Sequence, residues 1–173
     1  ILQGLLKAFE LLITGNQETY SAVFASLKAS TMSMIGSLTL GVPSGFLLGY
    51  TDFPGKRQAR AVVDTLLALP TVVVGLLVYA FISYRGPLGE LGLLFTIPGI
   101  ALAQTILVLP IVISLTATAV ESLDKRFKST LMALGAHGKQ IAVASILEAR
   151  HAVLIAAVTA YGRAISEVGI SMM

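Results

Sequence analysis

Cysteine and tryptophan are absent from the 173 residues, and only 12% of the residues are charged, against roughly 25% in an ordinary soluble domain. The missing cysteine excludes disulfides and thiolate metal sites together. His137 and His151 are the two histidines, fourteen residues apart, so a metal centre lacks a donor set and both read as polar interface residues. No cofactor is expected. The scarcity of charge excludes water as the main solvent, because 55% of the residues are hydrophobic and the mean hydropathy is +0.87. A pI near 9.3 would suggest nucleic acid in a soluble protein. Here the cations gather in particular connectors, which points to membrane orientation and away from nucleic acid. A phosphate-gripping loop needs a glycine run ending in lysine and a hydroxyl residue, and neither Gly55-Lys56-Arg57 nor Gly138-Lys139-Gln140 has that ending. Ile1 is followed by no basic n-region and no small-residue cleavage site, so no removable signal is expected.

What the chain has is apolar length. A helix needs about 20 mostly apolar residues to cross the hydrocarbon layer. Residues 29–49, 62–83, 97–119 and 151–172 meet that need, so the expectation is one all-α membrane domain over 1–173, a polytopic helix bundle in the lipid bilayer. Residues 1–14 place Leu2, Leu5, Leu6, Phe9, Leu12 and Ile13 at helical steps around Lys7 and Glu10. That stretch is too short to span and reads as an amphipathic helix, lying on the interface or packed against the bundle. The connector 51–60 holds Lys56, Arg57 and Arg60, and the connector 121–150 holds Lys125, Arg126, Lys128, Lys139 and Arg150. The opposite connectors carry Lys7 and Arg85, so the two basic connectors face the cytoplasm and both chain ends lie outside.

Several segments invite a functional reading. Ser26, Ser30, Ser33, Ser37, Gly41 and Ser44 share one face of the first span, and Gly41, Gly45 and Gly49 form a doubled G-x-x-x-G. Close packing on a neighbouring span is the first reading of that face, and the wall of a polar path the second. Pro70 and Pro110 are expected to kink their spans. Arg163 lies twelve residues beyond His151, which is about 18 Å at the helical rise and close to the bilayer midplane. Glu167 is four residues further on and shares its face, so the two can form an ion pair that either borders a substrate path or gate, with Ser166 beside it, or fixes helix packing. The connector 121–150 reads as helix, turn, helix. Leu123, Phe127, Leu131 and Leu134 form its stripe and Gly135-Ala136-His137-Gly138 the turn.

Ala133-Leu134-Gly135-Ala136, with Leu147 twelve residues beyond the glycine, is similar to the cytoplasmic "EAA" loop of binding-protein-dependent ABC importer permeases. Ser129, Thr130 and Leu131 stand where that loop has its acidic-Ala-Ala positions, and Glu148 stands where a proline is usual. Gly162-Arg163-Ala164-Ile165-Ser166-Glu167-Val168-Gly169 resembles the equivalent stretch of the molybdate, sulfate and tungstate permeases, as does Leu69-Pro70-Thr71-Val72-Val73-Val74-Gly75-Leu76. Glu148-Ala149-Arg150 looks most like the tungstate branch. The resemblance implies a type I importer transmembrane domain, short of its C-terminal span, in a prokaryotic inner membrane. It implies a second copy of the chain, separate ATPase subunits, and an extracytoplasmic protein that binds a tetrahedral oxyanion, most simply tungstate. It assigns Phe127, Leu131, Ala133, Leu134, Gly135 and Ala136 to the surface that docks on the ATPase.

Two rivals come from other classes. Gly41-Val42-Pro43-Ser44-Gly45 offers a serine inside the membrane, but the spacing is wrong for a nucleophile turn and no histidine lies in that span as base. A transporter driven by an ion gradient would use Arg163 and Glu167 as a proton relay, yet the sequence carries no inverted repeat.

Overall fold

The computed structural model describes residues 17–167. The amphipathic stretch 1–14 and the far end of the expected fourth span, 168–172, lie outside the described residues. Among the described residues seven α-helices follow one another: α1 (Gln17–Tyr50), α2 (Lys56–Leu67), α3 (Thr71–Ile82), α4 (Ile97–Glu121), α5 (Lys125–Ala133), α6 (Gly138–Glu148) and α7 (Arg150–Ser166), with a 3₁₀ turn at Gly89–Leu91.

α1 begins twelve residues before the expected span. Hydropathy marks the length that suits lipid, and the mixed segment from Gln17 to Lys28 is helical without being apolar. The expected span 62–83 differs more. It is two helices, α2 and α3, bent by 98°. Pro70 donates no backbone hydrogen bond and disfavours helical geometry at Leu69, so α2 closes with tight bonds from Ala68 and Leu69 to Thr65 and Leu66. Pro70, in extended geometry, then caps α3. Pro110, by contrast, sits inside uninterrupted α4.

Contacts along the helices fix their directions. Ser37 donates from its hydroxyl to the Thr105 carbonyl, and further on Gly49 lies against Ala117, so α1 and α4 run parallel. The α2–α3 pair runs the other way. Lys56 meets Glu121, Arg60 meets Thr118, Asp64 meets Ser114, and Val74, Val78 and Ile82 cluster with Leu107 and Ala103. That descending register follows the length of α4. α7 also opposes α4: Ala149 packs on Phe46, Ala119 and Val120, and the Ala164 carbonyl accepts from Gln104. Among the described residues, α1 and α4 alone are long and apolar enough to cross a membrane, and up to four crossings result if each bent pair, α2–α3 and α6–α7, counts as one.

The glycine face of α1 explains how the two long helices meet. A Cβ at Gly45 would lie 2.6 Å from the Ile113 carbonyl oxygen, and one at Gly49 would lie 2.6 Å from that of Ala117. Backbones this close gain dispersion contacts where lipid supplies no hydrophobic drive between helices. Around the crossing, Val108, Val112, Ala160 and Ala164 are fully buried and join α4 to α7.

Candidate functional site

Two regions at opposite ends of the bundle carry the candidate residues. At the end where α1 and α4 finish, α5 and α6 form an elbow. Asp124 starts α5 by accepting a hydrogen bond from the Arg126 amide at 2.8 Å. Gly135 stops it. The Gly135 amide donates to the Met132 carbonyl and the Ala136 amide to the Leu131 carbonyl, the paired bonds of a Schellman ending, which requires a left-handed residue at the glycine position. Gly135 has φ 82°, and a side chain there would meet nothing within 4 Å. The next helix opens when Gln140 Oε1 accepts from the His137 amide at 2.8 Å. His137 therefore marks a helix start.

The expected docking residues are brought into this one elbow. Phe127, Leu131 and Ala136 are half-buried, and Ala133 and Gly135 are exposed. Leu134 is 78% exposed at the tip, with Met132 and Leu147 also open. The elbow thus leaves large apolar side chains uncovered at its tip.

Behind the tip, contacts that the sequence did not reveal tie the elbow to the spans. Lys128 Nζ lies 5.1 Å from the centroid of the Tyr50 ring, and Tyr50 stacks on Phe46 with centroids 5.0 Å apart. Phe46 in turn packs against Ala119, Val120 and Ala149. A second missed cluster holds α2 to α4. Arg60 donates to Thr118 Oγ1 at 2.6 Å and pairs with Asp64 at 3.3 Å, and Ser114 donates to the other Asp64 oxygen at 2.9 Å. Lys56 joins Glu121 and Asp52 at 3.6 and 3.5 Å. The four-residue step from Arg60 to Asp64 was a visible signal, matched by Ser114 and Thr118 at the same step on α4.

At the other end lies the charged pair. Arg163 Nη2 is 3.1 Å from Glu167 Oε1. Glu167 is buried while the Arg163 side chain is 46% exposed, so the arginine reaches outward from an acid held inside. Ser166 does not join them: its hydroxyl donates back to the Arg163 carbonyl at 2.9 Å.

Crossing helices with an elbow at one end and an ion pair near the other define an all-α membrane bundle. The sequence profile of binding-protein-dependent transport system inner membrane components matches residues 41–168. The chain belongs to that family. It is 40% identical over 173 residues to the tungstate uptake system permease protein TupB of Campylobacter jejuni, an alignment covering all of this chain and 72% of that protein. It is 41% identical over 149 residues to a probable anion ABC transporter permease protein of Haloferax volcanii, covering 86% of this chain and 64% of the relative. It is 29% identical over 158 residues to the molybdenum transport system permease protein ModB of Escherichia coli, covering 87% of this chain and 69% of the relative. The chain thus spans about two thirds to three quarters of the length of these relatives.

Proposed function

We propose that this chain is the membrane subunit of an ATP-driven importer of a tetrahedral oxyanion, with tungstate as the solute. The observation that carries the reading is the 40% identity over the whole chain to a tungstate uptake permease, set beside 29% for the molybdenum permease. Two copies of the chain sit in a prokaryotic inner membrane, each crossing it several times. Two ATPase subunits supply the hydrolysis, and an extracytoplasmic binding protein delivers the anion.

The geometry gives this reading its working parts. The apolar tip around Leu134 docks on the ATPase, and movement of α5 is passed through Lys128 to Tyr50 and Phe46 and so to α1, α4 and Ala149. Ala149, which ends α6 and begins α7 at a bend of 55°, and Pro70, between α2 and α3, are the joints about which the spans rock. Arg163, Ser166 and Glu167 border the path, where the half-exposed guanidinium offers a charge to a passing anion.

The test is uptake of tungstate into proteoliposomes holding the permease, its ATPase and its binding protein. The reading requires accumulation that depends on ATP and is insensitive to protonophores. Accumulation driven by a proton gradient without ATP contradicts it, and a preference for molybdate or sulfate reassigns the anion.

A further inference from the structure

We propose that α2 is a lever, held on α4 by polar pins and released about Pro70 in each transport cycle, and that Arg60 is the positioning residue that sets it back in place. This deepens the importer reading above and rests on it.

The two halves of the bent pair are held by different forces. α3 buries Val74, Gly75, Val78 and Ile82, and its three large side chains cluster with Ala103 and Leu107 of α4. α2 has no buried residue, and its Val62, Leu66 and Leu67 side chains are exposed. What ties α2 down is a ladder of polar contacts. Lys56 donates to the Gly49 carbonyl at 3.2 Å and meets Asp52 and Glu121 at 3.5 and 3.6 Å, so one ammonium joins the ends of α1 and α4 to the start of α2. Arg60 reaches Glu121 at 3.6 Å and Thr118 Oγ1 at 2.6 Å, and Asp64 accepts from Ser114 at 2.9 Å. Ser114 lies seven residues inside the end of α4, about 10 Å at the helical rise.

Contacts at that depth resist separation, because a stranded charge or hydroxyl in hydrocarbon is costly. Here each partner has a substitute on its own helix. Arg60 and Asp64 already pair with one another at 3.3 Å, so they leave α4 as a neutral unit. Thr118 Oγ1 already donates to the Ser114 carbonyl at 2.9 Å, and a serine hydroxyl freed from a carboxylate turns to a carbonyl of its own helix. Lys56 and Glu121 stand at helix ends. The pins therefore part without isolating a charge in lipid.

The joint and the drive lie at the two ends of α2. Backbone bonds of α2 stop at Leu69 and those of α3 restart from the Pro70 carbonyl, so α2 swings while α3 stays packed. At the other end, Ser122, Leu123 and Asp124 are all that separate Glu121 from α5. Displacement of the elbow thus reaches Glu121, and through it Lys56 and Arg60. On return, the forked guanidinium of Arg60 meets Thr118 and Glu121 together, and two contacts one turn apart fix the register of α2 as a single point charge does not.

The chain has no cysteine, and the side chains of Asp64 and Ser114 meet closely enough for a disulfide to replace them. Asp64→Cys and Ser114→Cys are placed together in the assembled importer. The reduced form keeps Arg60 on Thr118 and is expected to import tungstate. Oxidation is expected to lower ATP-driven uptake about tenfold or more by locking α2 on α4, and dithiothreitol to restore it. Uptake that survives complete cross-linking would show that α2 does not swing, and failure to cross-link would show that α2 does not rest on α4 at Ser114; each overturns the proposal. Arg60→Ala is expected to raise the ATP hydrolysed per tungstate imported about fivefold or more, and Arg60→Lys, which keeps the charge, to recover part of the native ratio. A smaller amount of folded importer with an unchanged ratio would make Arg60 a packing residue and remove its role. An importer that takes up no tungstate with ATP, native or reduced, sinks the transport reading; equal uptake by the reduced and oxidised forms keeps that reading and sinks the lever.

Discussion

Gly135→Trp is expected to abolish coupled uptake, with tungstate import falling at least tenfold while the permease still folds and inserts. At φ 82° a side chain with a Cβ sits in the left-handed region, at a cost of about 1–2 kcal/mol. The elbow escapes that strain by giving up the paired bonds from Gly135 and Ala136 to Met132 and Leu131, which re-aims Leu134 and α5 relative to Tyr50. Space is not the difficulty, since nothing lies within 4 Å of the site. Folding of the spans should therefore be spared. Gly135→Asn is the matched control, because asparagine tolerates the left-handed region, and it should keep most of the import activity. Measuring ATP hydrolysed per tungstate imported separates the outcomes: the tryptophan variant hydrolyses without importing, and the asparagine variant stays near the native ratio. Equal impairment of both would show that conformation at Gly135 is not what matters.

The second large effect is on stability. Arg163→Ala removes the partner of a buried carboxylate, and breaking a dry buried pair costs about 3–5 kcal/mol. Because the Arg163 side chain is 46% exposed, the pair is not fully dry and the expected loss is smaller, about 1–3 kcal/mol, the range for a buried polar group left unmet. Thermal unfolding in nanodiscs reads this as a lowered midpoint. Adding Glu167→Gln to Arg163→Ala removes the orphaned charge and should recover most of the loss, whereas Glu167→Gln alone should cost less than Arg163→Ala. Additive losses in the double variant would mean that the two side chains, though 3.1 Å apart, do not share one interaction.

Local features of this chain were legible because their causes are local. The hydropathy of 97–119 marks a helix that the structure extends to Ile97–Glu121, and the four-residue step from Arg163 to Glu167 by itself places two charges on one face. Gly135 was visible as a turn because the stripe through Phe127 and Leu131 stops there. The break at Pro70 was only half legible. Proline signals a lost hydrogen bond, but whether the helix kinks or turns by 98° depends on what α4 offers each half. Here Ser114 and Thr118 hold α2, while Leu107 and Ala103 hold α3. The pairings of Tyr50 with Lys128, Arg60 with Thr118 and Gln104 with Ala164 join positions far apart in the chain. Each follows from the axial register of two packed helices, which no single segment encodes. The same register buries the Ser30 and Gln104 oxygens without a partner.

In the proposed function, lipid-crossing helices present the α5–α6 elbow to an ATPase on the cytoplasmic side. Leu134→Cys, a single thiol at the 78% exposed tip of a chain with no cysteine, tests it most directly through its reaction with an impermeant thiol reagent. The account predicts labelling in inside-out vesicles stripped of the ATPase, protection when the ATPase is added back, and no labelling of intact cells. Labelling from the outside of intact cells would place the elbow on the wrong face of the membrane and contradict the account.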